Sequence, residues 1–391
     1  MAIFGFGKST PETVIGSAPA RVNVPAVTAG GRGAFAPMED LLRLAVESGA
    51  SDLHLSVGSP PALRIHGTLV RMETRALFAE DTDNMAREIA TGEQIHRLNT
   101  EGSVDFAISH AGRNRFRVSL YRQKHTTAMA LRLLPKQMLS FGEIGMPAAV
   151  NELIRLPRGL VLVTGPTGSG KTTTLAAMLG TINRDIGSHI VTIEDPIEYV
   201  HEHQAGMVNQ REIGTDVPGF AEGLRRALRQ DPDVIFVGEM RDLETMETAI
   251  RAAETGHLVL STLHTTGAGR TVDRIVDSFP AGQQEQIRVQ ISTNLKAVIS
   301  QLLVPRIDRP GRVAVFEVML NTHAVAALIR DNKTFRIATE IQTGGKYGMM
   351  TIEQSLVDLY LAGIIARTEV FSKAQDPELA AQLLAGREVG R

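Results

Sequence analysis

Four short segments in the middle of the chain, GLVLVTG, HIVTIED, DVIFVGE and HLVLSTLH, are apolar through most of their length, and helical segments separate them. Strands covered on both faces read this way, so the alternation predicts a largely parallel, doubly wound α/β sheet. Nearer the N-terminus the pattern changes. Met38, Leu41, Leu42, Leu44, Ala45 and Val46 outline an amphipathic helix that Gly49 stops. SDLHLSV, ALRIHGTLV, DFAIS and RNRFRVSLYR then alternate or cluster as strands do, and Asp81 to Arg97 reads as helix. These patterns predict a small α/β domain over 38–135, a linker over 136–150 and a larger α/β domain over 151–370. Within the larger domain helices are expected at Gln283 to Leu303, Ala324 to Arg330 and Thr351 to Leu361, with RVAVFEVML as a strand between the first two. Residues 1–37, rich in Ala, Gly, Pro, Thr and Val without a sustained period, read as a flexible tail, and 371–391 as a second tail.

A length of 391 residues agrees with two or three domains. The 41 Lys plus Arg against 43 Asp plus Glu leave a net charge of −2, which removes any global pull toward nucleic acid or acidic lipid. No cysteine is present, so disulfide frameworks, thiol nucleophiles and Cys-ligated metals are excluded, which fits a reducing compartment without proving it. No apolar run approaches the ~18 residues of a membrane-spanning helix. The N-terminal MAIFGFGKST lacks the order of a secretory signal.

Gly165-Pro-Thr-Gly-Ser-Gly-Lys171-Thr172 satisfies G-x-x-x-x-G-K-[ST], directly after an apolar strand and directly before a helical TTTLAAMLG. Glycines let backbone N–H groups fold around an anion, the new helix turns its positive end to the same place, and Lys171 adds a mobile cation. The candidate nucleotide contacts are therefore Gly165, Pro166, Thr167, Gly168, Ser169, Gly170, Lys171, Thr172 and Thr173, with the Thr172 hydroxyl offered to Mg²⁺. A chance match in a chain of this length is on the order of 1 in 100, and the flanking strand and helix lower it further. An ATP site is expected.

Phosphoryl transfer to water also needs a metal anchor and a group that orients or deprotonates the water, both at the carboxyl edge of the sheet. Glu239 follows VIFVG, and Glu194 and Asp195 follow IVTI with Glu198 one turn on. Position alone leaves Glu194 and Glu198 both open as the base. His264 ends HLVLSTLH, where an imidazole could report on a terminal phosphate, whereas His257 begins that strand and falls at its far edge.

GPTGSGKTTT, TIEDPIEYVHE, NQREIG, LRRALRQDPDVIFVGEMRDLET and AAETGHLVLSTLHTTGA together resemble the Walker A, Asp box, Walker B and His box of the secretion ATPases that power type II secretion, type IV secretion and type IV pili. Within that family the chain is most similar to the retraction ATPases of twitching motility. The resemblance runs from about Met38 to GGKYGMMTIEQSL. It implies a PAS-like N-terminal domain, a RecA-like ATPase domain with a helical C-terminal part, and a cytoplasmic homohexamer. Such a ring would work at the inner membrane against a PilC-like platform protein, without nucleic acid. By motif, Glu198 would be the catalytic base, Glu239 the Walker B carboxylate holding Mg²⁺ through water, and His264 a sensor.

Arg113, Arg115 and Arg117 share one face of a strand, with Phe116, Val118 and Leu120 on the other. In the resembled family this strand faces the neighbouring subunit's nucleotide, which implies that Arg115 and Arg117, and less directly Arg132, complete that site in trans. Elongation and type II secretion ATPases usually carry a tetracysteine zinc subdomain, which the absence of cysteine argues against. Retraction ATPases carry AIRNLIRE. Here Ala324 to Asp331 reads AVAALIRD, keeping Leu-Ile-Arg but replacing an Arg and an Asn by Ala and the last Glu by Asp. The alternatives left standing are a PilU-like accessory, a type IVB secretion ATPase, a RecA-like DNA motor and a P-loop scaffold without turnover.

Overall fold

The computed structural model describes residues 35–112 and 114–388. The expected N-terminal tail lies outside them except for residues 35–37, and there Phe35 and Ala36 are buried. The chain divides into two compact units, one ending at Leu133 and the other beginning at Leu134, with residues 114 and 115 grouped with the second.

The first unit holds a six-stranded sheet. Its strands are β1 (Asp52–Leu55), β2 (Ala62–Ile65), β3 (Thr68–Arg71), β4 (Ser103–His110), β5 (Asn114–Gln123) and β6 (Thr126–Leu133), in the order β3-β2-β1-β6-β5-β4. The helix Met38–Glu47 buries Met38, Leu41, Leu42, Leu44 and Ala45, and they share a core with Leu53, Leu63, Phe116, Val118, Leu120 and Leu131. Two features differ from the reading above. The segment expected as one helix from Asp81 to Arg97 is two, Ala79–Ile89 and Gly92–Glu101, because Thr91 opens a new helix with a capping box. Its hydroxyl accepts from Gln94 N at 3.3 Å while Gln94 Oε1 accepts from Thr91 N at 2.8 Å. The segment TTAMALRL, unassigned in the sequence, forms β6 between β1 and β5.

The second unit holds a seven-stranded sheet of β7 (Gly159–Thr164), β8 (His189–Glu194), β9 (Met207–Glu212), β10 (Val234–Val237), β11 (Leu258–Leu263), β12 (Leu295–Pro305) and β13 (Arg312–Leu320). The order is β13-β12-β7-β11-β10-β8-β9, parallel except for β13. All residues of β7, β10 and β11 are buried, with separate apolar clusters on the two faces of the sheet. The apolar runs encode that double cover. The expected helix from Gln283 to Leu303 is instead a helix over Gln284–Asn294 followed by β12. β12 inserts between β7 and β13, where Leu295, Ala297, Val298 and Ile299 are fully buried. The expected C-terminal tail contains the helix Pro377–Glu388, which buries Ala380 and Leu384 against Leu356 and Val370. No helix among the described residues is long and apolar enough to cross a membrane.

Candidate nucleotide and catalytic site

The phosphate loop runs from the end of β7 into the helix Lys171–Asp185. Its shape depends on glycine. Gly165, Gly168 and Gly170 have φ of 143°, 77° and 90°, and a Cβ on Gly165 would stand 2.3 Å from Gln301 O and 2.7 Å from Ser169 Oγ. β12 braces the loop from the side: Gln301 Oε1 accepts from Thr174 Oγ1 at 2.6 Å, and Ser300 Oγ meets Thr164 Oγ1 at 2.8 Å. Lys171 is buried and donates to Gly165 O at 2.9 Å and Pro166 O at 3.1 Å. Burial pulls its ammonium below the usual lysine range, opposed by the charges of Glu239 and Glu198. The expected acidic partners therefore converge on the loop's cation.

Glu239 lies two residues beyond β10, mostly buried, between Arg241 Nη2 at 2.7 Å and His264 Nε2 at 3.2 Å. Burial raises its carboxyl, but the hydrogen bond and charge of Arg241, together with His264, outweigh that and hold it below the ordinary value. It is ionised at neutral pH. His264 thus stands beside the carboxylate expected to anchor Mg²⁺. His257 sits just before β11 with Nδ1 3.0 Å from Ala252 O, in a structural contact at the opposite end of the strand.

Glu194 and Glu198, equivalent in the sequence, occupy different environments. Glu194 ends β8 and is buried; its Oε1 accepts from Thr192 Oγ1 at 2.6 Å and from Gln210 Nε2 at 3.0 Å. Burial pushes its carboxyl up to about 7. Glu198 is half-buried, and the backbone on either side of it is tied down. Ile197 N donates to Glu212 Oε2 at 3.1 Å, Gln210 Nε2 donates to Tyr199 O at 2.8 Å, and Tyr199 Oη meets Thr173 Oγ1 of the phosphate-loop helix at 2.9 Å. Sequence reasoning missed Gln210, Glu212, Tyr199, Arg241 and Gln301 as positioning groups. NQREIG carried the first two without indicating what they hold, and Gln301 fell in a segment expected to be helix.

On β5 Phe116, Val118 and Leu120 are buried as the alternation requires. Arg113 lies outside the described residues. Arg115, in the stretch grouped with the second unit, donates from Nη2 to Glu212 Oε2 at 2.8 Å. Arg117 is exposed and has no ion-pair partner among the described residues, while Arg132 pairs with Asp52 at 2.9 Å.

The loop suits a nucleotide phosphate: Gly165 and Gly170 let its backbone pack against Gln301 more closely than a Cβ would allow, and the buried Ser169 Oγ has no hydrogen-bond partner among the described residues. The Thr172 hydroxyl and the ionised Glu239 suit Mg²⁺. Among the described residues no group of three or more His, Cys, Asp or Glu could hold a metal alone, as fits a cation that draws much of its shell from water and phosphate oxygens.

A largely parallel sheet carrying a glycine-rich loop into a helix, with carboxylates at the ends of β8 and β10 on the same sheet, defines a P-loop nucleotide-binding protein. More narrowly, residues 36–370 match the family described as Type II/IV secretion system protein, and the chain belongs to that family. It is 46% identical over 339 residues to the type IV pilus retraction ATPase PilT of Pseudomonas aeruginosa, covering 87% of this chain and 98% of that one. It is 47% identical over 320 residues to the twitching motility protein of Neisseria gonorrhoeae, covering 81% and 85%. Among solved structures, the pilus retraction motor PilT with bound ADP superposes with a TM-score of 0.82 at 46% identity, covering 88% of this chain and 98% of that one.

Proposed function

We propose that this protein is an ATP-hydrolysing hexameric motor that drives type IV pilus retraction. The observation that carries the reading is the identity of 46% across nearly the whole length of a type IV pilus retraction ATPase. Lys171 leaves its backbone carbonyls for the terminal phosphates of ATP, while the loop's N–H groups hold the rest of the chain of phosphates. Thr172 and Glu239 would hold Mg²⁺, which would supply charge neutralisation to the phosphates. Glu198 accepts the proton of the attacking water, for Glu194 is buried and engaged with Thr192 and Gln210. His264 reports the state of the site through its contact with Glu239.

A neighbouring subunit completes the site. Arg117, exposed and without an ion-pair partner among the described residues, is the arginine available for that role; Arg115 would first have to leave Glu212. Heterologous contacts of this kind close into a ring by rotation. The ring works on the cytoplasmic face of the inner membrane against a PilC-like platform protein and needs no nucleic acid. Deleting the gene tests the reading. The expected result is more surface pili and no twitching, restored by the intact gene and not by Lys171→Ala; unchanged piliation and motility would contradict it.

A further inference from the structure

Away from the phosphate loop, the second unit contains a cavity of about 970 Å³ lined by residues that the motor reading does not use. Its charge is unbalanced. Lys296, Arg330 and Lys346 line it against a single carboxylate, Glu340, and none of the three cations has an ion-pair partner among the described residues. The Lys296 stem lies across Gly159, where a Cβ would come within 2.4 Å of Cγ, and among the described residues its Nζ donates to Thr293 O at 3.1 Å. Burial and the nearby charge of Arg158 pull that ammonium below the ordinary lysine value, so an anion there would relieve a standing repulsion.

Asn321, also on the wall, has one group in use and one idle. Its Nδ2 donates to Ser292 O at 2.9 Å and to Leu295 O at 2.7 Å, which fixes the amide orientation because a flip would set oxygen against two carbonyls. Its buried Oδ1 accepts from no group among the described residues. A buried idle acceptor beside excess positive charge suits a ligand that carries anionic oxygens and a hydroxyl or amine donor on one small body. Tyr347, largely exposed with the Lys346 ammonium 4.8 Å from its ring centre, adds an aromatic face at the rim. The volume lies within the range of small-molecule sites.

We propose that this cavity is a second binding site for a phosphorylated small molecule of nucleotide size, with its phosphates on Lys296, Arg330 and Lys346 and a donor group on Asn321. This goes beyond the motor reading and does not depend on it.

The chain has no tryptophan, so Tyr347→Trp places its one tryptophan at the cavity rim, where indole emission is read apart from that of the remaining tyrosines. The experiment uses the full-length Tyr347→Trp chain carrying Lys171→Ala to weaken the phosphate-loop site, titrated with ADP, inorganic pyrophosphate and adenosine in parallel. ADP and pyrophosphate should change the emission saturably, adenosine should not, and adding Arg330→Glu or Lys346→Glu should weaken ADP at least about tenfold. Both of those side chains are exposed, so a normal melting curve is expected for each variant. No response to ADP or pyrophosphate up to about 1 mM would overturn the proposal. So would an ADP response that survives both charge reversals, or a response to polyglutamate with none to the phosphates.

Discussion

Lys171, Glu198 and Glu194 make three separable claims about single side chains. Removing the ammonium in Lys171→Ala takes positive charge from where negative charge concentrates in the transition state, and turnover of ATP should fall by at least about 10²-fold. Initial rates of phosphate release by the purified chain measure it. Glu198→Gln should bind nucleotide about normally and turn over slowly, since it loses the proton acceptor and leaves the phosphate loop intact. Glu194→Gln should behave in the opposite way. Both donors to Glu194 meet Oε1, an oxygen that glutamine retains, so the amide mimics the protonated acid and activity should stay within a few-fold. The same substitution carries a pH signature. Between the ordinary value of 4.5 and about 7 the folded chain holds a proton on Glu194 that the unfolded chain has released. Stability therefore falls as pH rises through that window and levels off above it. Glu194→Gln should remove this slope and gain stability relative to the parent at pH 8, as paired denaturant titrations would show. A Glu194→Gln chain that is as slow as Glu198→Gln is expected to be would reassign the base.

At the scale of elements, the phosphate loop is a strand-to-helix turn built around glycine backbone. Gly165→Ala should lower stability on the order of 1–3 kcal/mol and weaken nucleotide binding, because φ of 143° and a contact of 2.3 Å with Gln301 O both oppose a Cβ. Thermal melts with and without nucleotide separate the two effects. The sequence carried this element fully, since its glycines, lysine and flanking apolar strand are all local signals. It also carried β7, β8, β10 and β11, whose burial on both faces keeps most of their positions apolar. β12 was not legible. LKAVISQLLVP is apolar enough for a buried helix or a buried strand, and only its pairing with β7 and β13 decides between them. That misreading hid Gln301. β9 was obscured for another reason: MVNQRE is largely polar because it lies at the sheet edge and spends Gln210 and Glu212 on holding the Glu198 segment.

At the scale of the whole molecule, the proposed ring requires each active site to draw on two chains. Arg117→Ala and Lys171→Ala should each be inactive alone, for different missing halves of a shared site. Mixing them creates some interfaces in which an intact phosphate loop meets an intact Arg117, so ATP turnover should partly return once subunits exchange. Failure to return at every mixing ratio, with exchange demonstrated, would remove the trans role and leave the nucleotide site as described. The central claim is that hydrolysis at this site shortens pili, and labelled pili on living cells test it most directly. In a strain lacking the gene, expression of the intact chain should restore retraction events, while the Lys171→Ala chain at equal abundance should leave extended pili that do not retract. Retraction at the parental frequency without the gene, or restored by Lys171→Ala, would contradict the account.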